Sequence, residues 1–273
     1  MSGSRSSAQK HWRPAPLVTG SATLHLAAIA ATVVRPHVWP WALGAVVADH
    51  LLLTAAGLWP RSTLLGPNWT RLPRSAAARG SVAITIDDGP DPDITPRVLS
   101  LLDQYQAKAT FFCIGARVQR YADLAREIVK RGHAVENHSQ RHGHNFSLLG
   151  PRGIADEIRS AQESITEVTG IRPVFFRAPA GLRNPFLDPV LTRLDLRLAS
   201  WTRRGFDTVR QDADRVFNKL ARNLEGGDIL LLHDGHAARS RSGQPVVLEV
   251  LPRLLATVTE VKLRPVTLRS TLT

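Results

Sequence analysis

An apolar run at residues 83–86 ends in two adjacent aspartates, Asp87 and Asp88, followed by Gly89 and Pro90. Adjacent carboxylates repel each other and resist burial. An apolar strand that delivers two of them to one place therefore needs a chemical reason. Other polar residues also fall at the ends of apolar runs. Asn137, His138 and His142 follow one run, Arg177 ends another, Asp207 lies six residues past Trp201, and His233 and Asp234 close a third. Singly, each has an ordinary reading: Asp-Asp-Gly-Pro as strand-to-turn punctuation, His-x-x-x-His as two solvated histidines, a terminal histidine as a partly buried core residue. Together they make a set. One carboxylate and two histidines form a three-ligand site for a divalent metal with a position left open for water. A bound cation offsets the repulsion in the aspartate pair, and the second aspartate can take a proton from the attacking water. A separate histidine opposite them can act as the acid. Such a site is equipped to hydrolyse an amide or an ester. Two other readings use part of the set: a pure metal-binding module, and a non-haem iron centre of two histidines and one carboxylate. The iron reading leaves Asp87, Arg177 and His233 without work.

The elements that must position these residues are visible from residue 81 onward. Short apolar runs read as strands at 81–86, 109–114, 133–137, 174–178, 196–201, 228–233 and 264–268. Between them lie amphipathic segments that read as helices at 95–106, 121–131, 153–170, 186–194, 212–227 and 245–261, with Thr95 as the N-cap of the first. Strands alternating with helices predict an α/β fold with a parallel sheet, open or closed into a barrel. In such folds ligands bind at the carboxyl ends of the strands, where the polar set falls.

The first 80 residues are different. Residues 16–34 contain no Lys, Arg, Asp or Glu, and residues 39–59 contain one, Asp49. Each run is about long enough to cross a bilayer as a helix. Only four residues separate them, so they read as a helical transmembrane hairpin, with Trp39, Trp41 and Trp59 at the ends of the second run as interfacial aromatics. Of the net charge of +12, +7 belongs to residues 1–80, as expected for contact with anionic membrane lipid. Nucleic acid is not an expected partner: the chain has neither a zinc-finger spacing nor basic residues interleaved with aromatics on one element. Arg5, Lys10 and Arg13 precede the hairpin, Arg35 alone lies in its loop, and Arg61, Arg71, Arg74 and Arg79 follow it. That distribution places both ends in the cytoplasm. The single Cys113 can form no intramolecular disulfide. Residues 1–60 thus read as tail and membrane hairpin, 61–80 as a Pro- and Arg-rich linker, and 81–273 as the catalytic domain.

The polar motifs resemble those of the polysaccharide deacetylases that share the chitooligosaccharide deacetylase (NodB) homology domain, carbohydrate esterase family 4. "TIDDGPD" at 85–91, "HSQRH" at 138–142, "RAPAG" at 177–181 and "LLHD" at 231–234 resemble that family's first, second, third and fifth motifs, in family order. The resemblance implies a distorted (β/α) barrel of about seven strands. It also implies that Asp88, His138 and His142 bind a divalent metal, commonly zinc, that Asp87 is the general base, and that Arg177 holds Asp87 in place. His233 would protonate the leaving amine, and Leu231 and Trp201 would line a pocket for the acyl methyl group. The backbone amide of Ala180 would donate to the oxyanion, and Asp207 would orient His233. The sequence departs from the family pattern at Ala180, where tyrosine is frequent, and at Thr208, where the fourth motif has tryptophan after its aspartate. The expected activity is removal of an N-acyl group, most often acetyl, from an amino sugar of a polysaccharide or a lipid-linked glycan. Alternatives are N-deformylation of a lipid-linked amino sugar, and a degenerate domain that only binds carbohydrate.

Overall fold

A computed structural model of the chain describes residues 11–272; Arg5 and Lys10 of the basic tail lie outside them. Helices α1 (Pro16–Val34) and α2 (Trp39–Leu58) pack against each other across a short 3-10 turn. Each opens with proline in its first turn, where the missing N–H costs nothing. Both are long and apolar enough to cross a membrane. Helix α1 buries no residue, and α2 buries only Ala56 and Gly57 near its end. Polar side chains turn inward between them. Ser21 donates to Asp49 Oδ2 at 2.6 Å, and the His25 ring lies 3.9 Å from the same oxygen. The one charge in the second run thus faces the first helix, as a charge amid apolar sequence should.

After α3 (Arg74–Ala78) the strands and helices alternate: β1 (Ser81–Asp87), α4 (Thr95–Gln104), β2 (Ala109–Cys113), α5 (Gly115–Arg120), α6 (Ala122–Lys130), β3 (Ala134–Asn137) and α7 (Pro151–Thr169). There follow β4 (Phe175–Phe176), α8 (Leu187–Arg193), β5 (Arg197–Leu198), β6 (Arg203–Arg204), α9 (Ala213–Ala221), β7 (Ile229–His233), α10 (Val246–Glu260) and β8 (Arg264–Pro265). The strands are parallel, in the order β5-β4-β3-β2-β1-β7-β6, with β8 joined to the start of β1. The sheet curls into a partial barrel with its seam between β5 and β6. This is the distorted (β/α) barrel that the motifs imply.

Strand periodicity positions the site. Side chains alternate faces along a strand. Ile84 and Ile86 of β1, and Leu230 and Leu232 of β7, pack outward against Val98, Leu102, Val247 and Leu251 of the helices. Their alternates, Ala83 in β1 and Ile229 and Leu231 in β7, point inward with Phe112 and Trp201. The same alternation carries Thr85, Asp87 and His233 to the inner face. Asp87 pairs in register with His233, so the two side chains stand side by side at the carboxyl ends of the two central strands.

Three local expectations differ from the structure. Residues 61–80 run along the sheet instead of standing off it: Leu65, Leu72 and Ala76 are buried, Trp69 bridges to Ala199, and the Leu72 amide donates to Gly227. Helix α5 occupies residues that alone carry no helical signature. Thr95 is not the N-cap of α4; its hydroxyl accepts from the Asp91 amide and donates to Asp234.

Candidate active site

All ten residues singled out in the sequence gather at the carboxyl ends of the strands, eight of them lining one cleft of 690 Å³. Asp87 is buried inside the barrel mouth. Arg177, on the chain leaving β4, reaches across the barrel to it and is 1% exposed. Its guanidinium donates to Asp87 Oδ1 at 2.6 Å, to Thr85 Oγ1 at 2.8 Å, and to the carbonyls of Ala199 at 3.2 Å and Ser200 at 2.7 Å. Its face lies on the Phe112 ring, 4.1 Å from the centroid. Residues 199 and 200 follow β5 at the seam, so one arginine both satisfies seam carbonyls and pairs with the buried carboxylate.

Asp88 is turned away from Asp87 by a left-handed backbone, φ +73°. Its Oδ1 lies 3.2 Å from His138 Nε2 and 3.2 Å from His142 Nε2. The His138 Nδ1 sits 2.8 Å from the Arg177 carbonyl, which can only accept, so Nδ1 is the donor and Nε2 is the nitrogen turned to Asp88. Asp88 Oδ1 is buried and has no hydrogen-bond partner among the described residues. A carboxylate oxygen and two imidazole nitrogens this close need a proton or a metal cation between them. The three groups therefore fit a divalent metal, with the backbone partner of Nδ1 supplying the orienting contact common among histidine ligands. Burial, and the His138 ring beside it, lower His142 to about 4, so it is neutral and able to ligate at neutral pH.

The loop that carries the two histidines is built for that placement. Ser139 Oγ accepts from the His142 amide at 3.0 Å, and Asn137 Oδ1 from the Ser139 amide at 2.9 Å. Helix α5 donates its first amides, Gly115 and Ala116, to the carbonyls of Ser139 and Gln140. Asp88, Ser139, His142, Ala180, Phe206 and His236, all around the cleft, adopt positive φ. Such backbone is sparsely populated outside glycine and collects at functional sites.

Opposite Asp88, His138 and His142, Asp207 is fully buried and grips His233 twice. Its Oδ1 lies 2.8 Å from His233 Nδ1, and its Oδ2 accepts the His233 amide at 2.7 Å. Burial alone would push the His233 imidazole down; the Asp207 carboxylate, with Asp87 and Asp88 behind it, outweighs burial and raises it to about 9. Leu231 and Trp201 form the apolar wall. Ala180 sits at the apex of a tight turn whose own bond runs from Gly181 N to the Ala178 carbonyl, which leaves the Ala180 amide outside that bond.

Several groups at the site carry no strong signal in the sequence. His236, exposed at the cleft rim, places Nδ1 3.3 Å from Asp88 Oδ2; its only sequence cue is its position three residues after His233. Arg117, Arg141 and Arg204 bring positive charge to the cleft lining. Asp234 lies beneath, fully buried; burial raises it to about 7 against the hydrogen bonds from Thr95 and the Gly235 amide. The two strand-end loops meet so closely that a Cβ on Gly89 would strike the Asp234 carboxylate, and one on Gly235 the Asp88 carbonyl. The glycine after each acidic residue is the trace this contact leaves in the sequence.

The family model for polysaccharide deacetylase matches residues 74–199. A peptidoglycan-N-acetylglucosamine deacetylase of Bacillus cereus is 35% identical over 178 residues, which span 63% of this chain and 81% of that protein. A chitooligosaccharide deacetylase of Azorhizobium caulinodans is 34% identical over 158 residues, 58% of this chain and 75% of that one. Among solved structures, the Bc1960 peptidoglycan N-acetylglucosamine deacetylase, in complex with 4-naphthalen-1-yl-N-oxidanyl-benzamide, superposes with a TM-score of 0.67 at 25% identity over 75% of this chain and 92% of that chain. The chain belongs to the polysaccharide deacetylase family and is a hydrolase of carbon–nitrogen bonds other than peptide bonds.

Proposed function

We propose that the protein removes the acetyl group from N-acetylglucosamine or a related amino sugar. The observation that carries this reading is the convergence of Asp88, His138 and His142 on one point, with the Arg177–Asp87 pair on one side and the Asp207–His233 pair on the other. A divalent metal held by Asp88, His138 and His142 would supply Lewis acidity to the acyl carbonyl and to the attacking water. Asp87 takes the proton from that water. Arg177 fixes its orientation and balances its charge. The Ala180 amide donates to the oxyanion as it forms. His233, protonated at neutral pH and held by Asp207, gives its proton to the departing amine. Leu231 and Trp201 receive the methyl group and exclude water around it. The relatives act on peptidoglycan N-acetylglucosamine and on chitooligosaccharides. The two apolar helices favour a substrate held at a membrane, so a lipid-linked amino sugar joins those two as a candidate.

The test is to incubate the purified full chain with chitooligosaccharide, peptidoglycan fragments and lipid-linked N-acyl sugar, and to measure free amine together with acetate and formate. Acetate and amine in equal amounts, absent in Asp87→Asn, support the assignment. Formate in place of acetate would make the protein a deformylase. Release of neither from any substrate would overturn the hydrolytic reading and leave a carbohydrate-binding domain.

A further inference from the structure

A second cavity of 670 Å³ adjoins the catalytic cleft, and Arg204 lines both. Trp59, the cap residue of α2, lines the second cavity as well. The groove therefore runs from the end of the last apolar helix to the catalytic cleft. Packing fixes this arrangement. The Arg183 amide donates to the Gly57 carbonyl at 3.2 Å, and a Cβ on Gly57 would collide with the Arg183 carbonyl. Ser200 donates to the Pro60 carbonyl. A Cβ on Gly181 would meet Pro60 at 2.7 Å and the Trp201 ring at 2.6 Å, so the cleft wall and the segment leaving α2 form one packed unit.

The groove is basic beyond its own neutralisation. Arg203 and Arg71 share Asp228, at 2.6 and 3.5 Å, and Arg71 also pairs with Glu225 at 2.8 Å. Three other cations have no carboxylate within ion-pair distance among the described residues. Arg61 donates only to the Thr202 carbonyl, at 3.2 Å. Arg204 stacks over Trp201 and Phe206, 5.3 and 4.9 Å from their centroids, with its Nε buried and unpartnered. Lys219 Nζ stands 4.8 Å from the same Phe206 centroid. Gathering three cations without counter-charge is unfavourable unless an anion occupies the space. A guanidinium fork matches phosphate oxygens, and lysine adds a point charge. A neutral chitooligosaccharide offers these groups hydrogen-bond acceptors but no countercharge.

We propose that this groove binds the phosphate or diphosphate linking an amino sugar to a membrane lipid, with Arg61, Arg204 and Lys219 as its ligands and the sugar reaching past Arg204 into the cleft. The proposal rests on the deacetylase reading for the sugar's place and on the α1–α2 hairpin for the lipid's. Its test separates binding from turnover. The full chain carrying Asp87→Asn, in neutral detergent, is titrated with polyprenyl-diphosphate-linked N-acetylglucosamine by calorimetry. Arg61→Gln combined with Lys219→Gln, both exposed positions, should weaken that binding about 10- to 100-fold. Inorganic diphosphate should compete, and competition should fade as salt rises. Binding of neutral chitotriose should shift far less. An unchanged Kd for the lipid-linked sugar in the double variant, at unchanged melting temperature, overturns the proposal. So does a variant that loses only binding to phosphatidylglycerol vesicles, which would assign the groove to lipid headgroups. If the active chain releases no acetate but the double variant still loses diphosphate-linked sugar, the deacetylase reading fails and the groove stands.

Discussion

Replacing Arg177 with methionine should be among the most damaging single changes in the barrel, for a reason that a double-mutant cycle can isolate. The side chain is 1% exposed and makes four hydrogen bonds, one of them to Asp87, itself 3% exposed. Methionine fills much of the volume but leaves the Asp87 charge buried and the Ala199 and Ser200 carbonyls unpaired. Breaking a buried ion pair from one side costs about 3–5 kcal/mol. For a catalytic domain of this size that corresponds to a melting point lowered by roughly 6–20 °C. The cost comes largely from the stranded charge, so Asp87→Asn in the same chain should recover part of it, with a coupling of about 2 kcal/mol. The assay is thermal unfolding of the four proteins in neutral detergent, followed by near-ultraviolet circular dichroism. Additivity within about 0.5 kcal/mol would refute the reasoning. It would show that Arg177 plugs the barrel seam without answering the Asp87 charge. Loss of turnover alone does not distinguish these cases, because either would misplace Asp87.

Three further outcomes test the remaining assignments. Asp87→Asn should keep the metal, about one per chain by elemental analysis, and lose roughly 10²- to 10⁴-fold in turnover; Asp88→Asn should lose the metal, and the reverse pattern would exchange their roles. His233 is raised to about 9, so it is protonated below that pH and activity should fall as pH rises through the alkaline limb. Asp207→Asn removes the largest upward push and lets burial win, so the limb should move down by about 1–3 pH units, and a limb that stays in place would remove Asp207 from this role. A reporter active only in the cytoplasm, fused after Thr273, should be active if the charge distribution around α1 and α2 sets their orientation; activity of a periplasm-only reporter instead would point to an exported substrate.

How much of this could be read from the sequence depends on whether a residue's position is fixed by its own strand or by distant chain. Asp87 and His233 lie on strands whose period-two pattern settles which way each side chain points, and their order at the strand ends did the rest. Asp207 was legible only through a motif, because no strand carries it to His233; the loop after β6 bends back through Phe206 at φ +67°. The segment 61–80 has the composition of a linker, yet Leu72 and Trp69 bond to chain more than 120 residues away. Nothing local announces that the sheet leaves an edge there to be covered. Helix α5 is similar: its first amides serve the His138–His142 loop, an acceptor the local sequence does not contain.

Arg204 shows where sequence pattern alone stops. In the string Arg203-Arg204 the two residues look interchangeable, and β6 is only two residues long. Yet Arg203 turns to Asp228 at 2.6 Å while Arg204 turns over Trp201 toward the cleft. What separates them is the alternation of a short strand beside β7, together with two aromatic rings that only the folded chain supplies. The catalytic chemistry is written in residues whose types are unusual for their positions, so it could be recognised as a set. The charge proposed to hold a phosphate-linked sugar comes from Arg61, Arg204 and Lys219, residue types common on any surface. It becomes visible only when the fold separates those with carboxylate partners from those without.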